Sequence, residues 1–254
     1  MSSPAEPGLL YRIGNAPIRP YPFPHLYVRD VFPADYYAEI QRHLPRPDSM
    51  RTLEEARGTR GYPQRFVLPL GPDRPPEIPE ATFAFWRELW RWMLGGGLGN
   101  LMLQKFAAMV EPRLRDMGDV EIFDEALLVH DRTEYALGPH SDSPRKLITL
   151  LFYLPADERL QRYGTSIYVP KDPGFRCPGG PHHPFDRFHR MATMPFVPNA
   201  LFAFPKTDNS FHGVERFDVP GEGRWLLLVD LYVRKSPAAS APARPEAPTI
   251  SFRF

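Results

Sequence analysis

The chain has 254 residues, enough for one large domain, and its 31 Lys plus Arg against 30 Asp plus Glu leave a net charge of +1, which gives no electrostatic drive toward nucleic acid or an anionic membrane. At 43% hydrophobic and 24% charged it has the composition of an ordinary globular protein; no apolar run is long enough to span a bilayer, and the amino terminus lacks the basic region and apolar core of a signal peptide. A single cysteine, Cys177, excludes an internal disulfide and fits a reducing cytoplasm, while 32 prolines demand many loops and short elements.

In chain order, the residues up to Pro24 are Pro-rich and read as irregular. His25 to Phe32 alternates as a strand, Pro33 marks a helix start, and Ala34 to Leu44 reads as a short helix stopped by Pro45. Residues 46–78, dense in Pro, Gly and Arg, predict a long loop with one strand near Phe66 to Leu68. From about Glu80, Phe83, Trp86, Leu89, Trp90 and Met93 recur at helical spacing, with Gly95-Gly96-Gly97 as the stop, and a second helix spans roughly Leu98 to Arg115. The aromatic stripe is read as packing on a sheet rather than as a cofactor box. After Asp119, strand patterns cover Glu121 to His130, Lys146 to Leu154, Thr165 to Pro170, Ala192 to Phe196, Ala200 to Phe204 and Arg224 to Val233. Helices first and strands afterwards imply an α+β, mainly β domain over residues 1–235, with helical support over about 30–118 and a barrel or sandwich over about 119–235. Residues 236–254 form a tail whose Pro/Ala-rich run SPAASAPARPEAP reads as disordered.

His140-Ser141-Asp142 is a His-x-Asp tripeptide followed by an apolar strand, and His212 lies far downstream, beyond the strand Ala200 to Phe204. Residues two apart on a strand point to one side, so His140 and Asp142 can both reach one ion, and a neighbouring strand would bring His212 alongside. Two imidazoles and one carboxylate on one face of an octahedral iron are the facial triad of non-haem Fe(II) oxygenases. The alternative, three unrelated loop residues, leaves their order and strand context unexplained. Iron held this way needs a reductant to activate O2. A 2-oxo acid supplies two electrons by oxidative decarboxylation, and its distal carboxylate needs a buried cation. Arg224, entering the strand Trp225 to Val233, is the candidate because a guanidinium fork matches a carboxylate. A surface pair with Glu222 is the other reading.

His-Ser-Asp-Ser-Pro-Arg-Lys-Leu-Ile-Thr-Leu-Leu-Phe-Tyr-Leu from His140, together with Ser210-Phe-His-Gly-Val-Glu-Arg and Arg224-Trp225, resembles the prolyl-hydroxylase-like branch of the 2-oxoglutarate/Fe(II) dioxygenases. The likeness covers roughly residues 120–233, and residues 20–45 resemble the lead-in of such enzymes. It implies a double-stranded β-helix, a jelly-roll or cupin-like barrel, with supporting N-terminal helices. It also implies Fe(II) on His140, Asp142 and His212, and 2-oxoglutarate on Arg224. Tyr153 would donate to the same carboxylate; a buried core tyrosine is the other reading. The chain departs from the pattern in a longer interval from His212 to Arg224 and in a Pro/Gly-rich insertion, Asp172 to His189.

Several other residues carry weaker signals. Thr149 shares the strand of Tyr153, four residues earlier, and reads as strand packing, with a place facing the same cavity as the alternative. Cys177, His182, His183 and His189 crowd the insertion without the paired spacing of a zinc site, and read as a loop near the mouth of the site. Arg145 and Lys146 read as solvated loop charges, with an anionic substrate group as the alternative partner. Pro198-Asn199 and Lys206, Asp208 and Asn209 read as turns. The reading that unites the motifs is a cytoplasmic, small-molecule hydroxylase using Fe(II), 2-oxoglutarate and O2 and releasing succinate and CO2. A carboxylate ligand at Asp142 favours oxygen transfer over halogenation, which needs a ligand position for chloride. The rivals are a non-catalytic cupin-like barrel that binds a metabolite or carbohydrate, a protein side-chain hydroxylase of prolyl type, and an isomerase or hydrolase on a β-barrel. No partner nucleic acid or membrane is expected, and the sequence sets no oligomeric state.

Overall fold

Ala5, Leu9 and Ile13 recur every fourth residue, and in the computed structural model, which describes residues 4–94 and 96–236, they form the buried face of a helix, α1 (Ala5–Asn15). The expectation of an irregular start is corrected here. Pro4 caps this helix and Pro7 falls in its first turn, where the N–H groups have no intrahelical acceptor to lose. The strand β1 (Leu26–Arg29) and the helix α2 (Ala34–Arg42) follow, each a little shorter than read. The expected loop over 46–78 holds more order than its composition suggests: β2 (Arg51–Thr52), α3 (Leu53–Arg57) and β3 (Arg65–Pro69). Thr52 and Glu55 close a capping box that starts α3, and Gly58 at φ 69° ends it in the left-handed conformation.

α4 (Glu80–Met93) buries Phe83, Trp86, Leu89 and Met93 of the stripe, while its Trp90 is only half-buried and Trp92 is buried as well. The single helix expected from Leu98 to Arg115 is two helices, α5 (Gly97–Lys105) and α6 (Ala107–Met117), meeting at Phe106. The Phe106 ring is buried, and its carbonyl accepts from both Met109 and Val110, so the helix restarts in a tightened turn. Pro112 inside α6 removes the N–H that would have reached Ala108.

The strands then run β4 (Val120–Arg132), β5 (Leu137–His140), β6 (Lys146–Tyr153), β7 (Ser166–Pro170), β8 (Phe188–Thr193), β9 (Ala200–Pro205), β10 (His212–Val214) and β11 (Gly223–Lys235). β8 lies upstream of the expected Ala192 to Phe196. It is an edge strand with mostly exposed side chains, so no hydrophobic alternation marked it. Among the described residues the strands form a seven-stranded sheet, β1-β9-β6-β11-β4-β3-β2, and a four-stranded sheet, β5-β10-β7-β8, with antiparallel pairing throughout. The expected α+β, mainly β class holds, and the expected barrel is corrected. No ladder joins the two sheets into a closed ring, because β1 and β2 edge one sheet while β5 and β8 edge the other.

The large sheet is buried on both faces, which is why β6 reads as the unbroken run Lys-Leu-Ile-Thr-Leu-Leu-Phe-Tyr. On one face Leu150, Phe152, Leu227 and Val229 join Trp86, Leu89 and Met102 of the helices in one core. On the other face Val67, Leu127, Val129, Leu151, Tyr153, Phe204 and Leu226 meet Ile167 of the small sheet. The tail from residue 237 onward, read as disordered, lies outside the described residues.

Candidate functional site

The site opens from this second face. His212 pairs in register with His140 on one side and Ile167 on the other, so β10 carries the distal histidine into the small sheet beside the His-x-Asp. β5 ends at His140, and Asp142 stands just past the strand rather than within it. One ligand atom from each of His140, Asp142 and His212 still falls within 4.8 Å of the others. The two imidazole rings lie 4.3 Å apart between centroids, and their Nε2 atoms are 4.0 and 3.9 Å from the two oxygens of Asp142.

The backbone fixes which nitrogen of each ring is free. His140 Nδ1 lies 3.0 Å from the Gly138 carbonyl and His212 Nδ1 lies 3.0 Å from the Ser210 carbonyl. A carbonyl only accepts, so each Nδ1 carries the proton and each Nε2 presents a lone pair to the common centre. Burial pushes both imidazoles below their ordinary pKa, that of His140 well below, which keeps them in the neutral, ligating form. Asp142 behaves oppositely. Burial alone would raise it, but the Lys146 ammonium first, with the Thr149 hydroxyl, outweighs that and holds the carboxyl well below its usual range. Two neutral imidazoles and an ionised carboxylate form the donor set that suits a divalent transition metal.

Two of the weaker sequence readings are corrected by the surroundings of Asp142. Thr149 is not merely strand packing: its Oγ1 donates to Asp142 Oδ2 at 2.8 Å. Lys146 is not a solvated loop charge. Its side chain is 12% exposed, with Nζ 3.1 Å from Asp142 Oδ1 and 3.1 Å from Asp230 Oδ1. Arg145 is exposed, as read. Lys206 pairs with Asp208 at 2.7 Å within the expected turn, and Asn199, at φ 56°, ties its turn to Phe32 through both amide atoms.

The insertion packs directly over the ligands. Ser141 donates to the Cys177 carbonyl at 2.6 Å and the His183 N–H donates to the Pro139 carbonyl at 2.9 Å. Gly138 is needed for this approach, since a Cβ there would come within 2.7 Å of the His183 carbonyl. The His182 ring lies tilted against the His140 ring, 4.6 Å between centroids, and its Nε2 lies 3.0 Å from the Tyr62 hydroxyl. Cys177, His183 and His189 do not gather into a metal cluster; the triad is the group of at least three such side chains that converges among the described residues.

Arg224 is 1% exposed and its Nη1 donates to Asp131 Oδ2 at 2.7 Å. Glu222, its alternative surface partner, pairs with Arg159 instead. Tyr153 is fully buried and its hydroxyl accepts from the Thr165 N–H at 3.1 Å. The Phe196 ring packs against both, 5.0 Å from the guanidinium and 4.9 Å from the tyrosine ring. Sequence reasoning missed Asp131 and Arg65. Arg65 grips Asp131 through Nε at 2.7 Å and Nη2 at 3.0 Å. A usable signal existed: Asp131 has the strand parity of the buried Leu127 and Val129, and Arg65 that of Val67.

This fold recurs in solved structures. The chain shares its fold with a Trichoplax adhaerens prolyl hydroxylase in complex with a peptide fragment of hypoxia inducible factor, at 10% identity and TM-score 0.50, over 89% of this chain and 88% of that one. It shares it also with the non-haem α-ketoglutarate-dependent carbocyclase SnoK of nogalamycin biosynthesis, at 12% identity and TM-score 0.52, over 89% of this chain and 92% of that one. No protein-family model and no curated protein matches the sequence.

Proposed function

We propose that this chain is an Fe(II)- and 2-oxoglutarate-dependent oxygenase that hydroxylates a small metabolite or amino-acid-like substrate, releasing succinate and CO2. The observation that carries the reading is the convergence of His140, Asp142 and His212 on one point, with both Nε2 atoms unprotonated and the carboxylate ionised. These three residues would hold Fe(II). Arg224 would bind the distal carboxylate of 2-oxoglutarate, with Tyr153 beside it, in a desolvated setting where a charge-assisted contact is strong. Iron, 2-oxoglutarate and O2 together supply the oxidising chemistry when bound. The protein's part is position and exclusion of water. Thr149 and Lys146 fix the Asp142 carboxylate, backbone carbonyls fix the two rings, and the insertion around His182 narrows the approach to His140.

That narrowing favours a compact substrate. Hydroxylation of a protein side chain is the second reading, favoured by the fold shared with a prolyl hydroxylase that binds a peptide. The test is an anaerobic titration of the apoprotein with Fe(II) and 2-oxoglutarate, following the visible metal-to-ligand charge-transfer band, with His140→Ala beside it. A band in the wild type that is lost in the variant supports the reading. A folded wild-type protein that develops no band overturns it in favour of a non-catalytic binding module.

A further inference from the structure

Asp131 is an anomaly for a site that is to receive an anion. It is 0% exposed and sits 2.7 Å from the guanidinium proposed to bind the cosubstrate carboxylate. Taken as a pair, Arg224 and Asp131 are neutral, and a second carboxylate approaching Arg224 would meet the field of the first. Arg65 changes the count. In the large sheet Asp131 is directly opposite Arg65 on β3 and Arg224 on β11. All three side chains have the parity of Val67, Val129 and Leu226, so they stand in one row across the face that looks into the site. Two guanidiniums share one carboxylate, and Asp131 is the carboxylate ion-paired with either of them among the described residues. The row therefore carries a net charge of +1.

The row is also incompletely hydrogen-bonded. Arg224 Nε and the Tyr135 hydroxyl are buried and have no hydrogen-bond partner, and the Tyr135 ring lies 4.4 Å under the Arg65 guanidinium. A buried donor without an acceptor and a buried charge without a counter-charge are both costly. One carboxylate entering beside Arg224 answers both at once.

We infer that Arg65 is a positioning residue for the cosubstrate: by taking both oxygens of Asp131 in a bidentate grip, it cancels that carboxylate and leaves Arg224 with an uncompensated charge and a free Nε for 2-oxoglutarate. Asp131 in turn holds the Arg224 guanidinium in place, with Nη1 occupied and Nε open. The inference rests on the proposed use of 2-oxoglutarate and adds to it a residue 159 positions from Arg224 in the chain.

The test is calorimetric binding of 2-oxoglutarate to protein loaded with Mn(II) in place of Fe(II), for the wild type, Arg65→Met, Asp131→Asn and the double variant. Arg65→Met makes the row neutral and should weaken binding about 30-fold, the scale of one hydrogen bond to a charged group. Adding Asp131→Asn restores the net charge of +1 and should bring affinity back to within about threefold of the wild type. Arg65→Lys, which keeps the charge but loses the fork, covers the case in which Arg65→Met does not fold, and should lose less than about tenfold. A purely structural role for Arg65 would lower the melting temperature and leave 2-oxoglutarate affinity unmoved in the folded variants, so melting is measured beside binding. Wild-type affinity in Arg65→Met, or a double variant as weak as Arg65→Met, overturns the inference alone. A metal-loaded wild type that binds no 2-oxoglutarate overturns the functional reading as well.

Discussion

Thr149→Val replaces a hydroxyl by a methyl group of the same shape, deep in the large sheet, and removes the donor that faces Asp142. In the wild type Oγ1 donates to Asp142 Oδ2 at 2.8 Å, and Thr149 is buried at 3% exposure, so no bulk water replaces the lost donor. A hydrogen bond to a buried charged group contributes about 1.5–3 kcal/mol. Part of Asp142 stays anchored, because Lys146 holds the other oxygen at 3.1 Å. The loss should therefore sit at the lower end, about 1.5 kcal/mol, or roughly tenfold in metal affinity, as expected for a group that orients a ligand without binding the metal itself. Titrating the apoproteins with Co(II) and following its d–d absorption measures this directly, and Thr149→Ser should recover most of the loss. Affinity within twofold of the wild type, in a Thr149→Val protein that melts normally, would show that the hydroxyl does not orient Asp142.

Two further outcomes follow from buried charges. Lys146→Met leaves Asp142 and Asp230 without their shared cation and should destabilise the metal-free protein by about 3–5 kcal/mol; added Mn(II) should then raise the melting temperature by more than it does in the wild type, and an unchanged metal-free melting temperature would refute this. Asp124 faces the helical side with Oδ1 unpartnered, and burial lifts its pKa from 3.8 to about 7, so its protonated form is favoured in the fold. Stability from that group is full at acidic pH and is lost as pH rises from about 4 through 7, which makes Asp124→Asn more favourable at pH 8 than at pH 4 by on the order of 3 kcal/mol; an equal effect on melting at both pH values would count against the shift.

The parts of this protein that a reader of the sequence recovers are those whose signal is local. The stripe Phe83, Trp86, Leu89 and Met93 announces α4, and the apolar run after His140 announces β6, because burial repeats at the period of the element itself. His140, Asp142 and His212 were legible for the same reason: two of them are neighbours, and the third follows a recognisable strand and turn. The errors are local too. Prolines hid α1, although Ala5, Leu9 and Ile13 spell a helical face, and charged residues hid α3, although Thr52 and Glu55 form a capping box. The break at Phe106 had no counterpart in the pattern, which continues through it.

What surrounds the ligands was harder to read, because it depends on which strands lie side by side. Asp131 is 93 residues from Arg224 and 66 from Arg65, and only the order β11-β4-β3 makes the three adjacent. Thr149 and Lys146 lie seven and four residues from Asp142, yet the turn between them decides that both point at its carboxylate. Sequence pattern does nevertheless hold a physical clue to such residues. A charge at the parity of buried neighbours, as Asp131 stands to Leu127 and Val129, cannot be a solvated face, and desolvation requires it to have a partner. Asking what partner each inward-facing charge must have leads from Asp131 to an arginine on a neighbouring strand. Counting the charges then leads from one arginine to two, and the surplus positive charge is what the proposed cosubstrate site rests on.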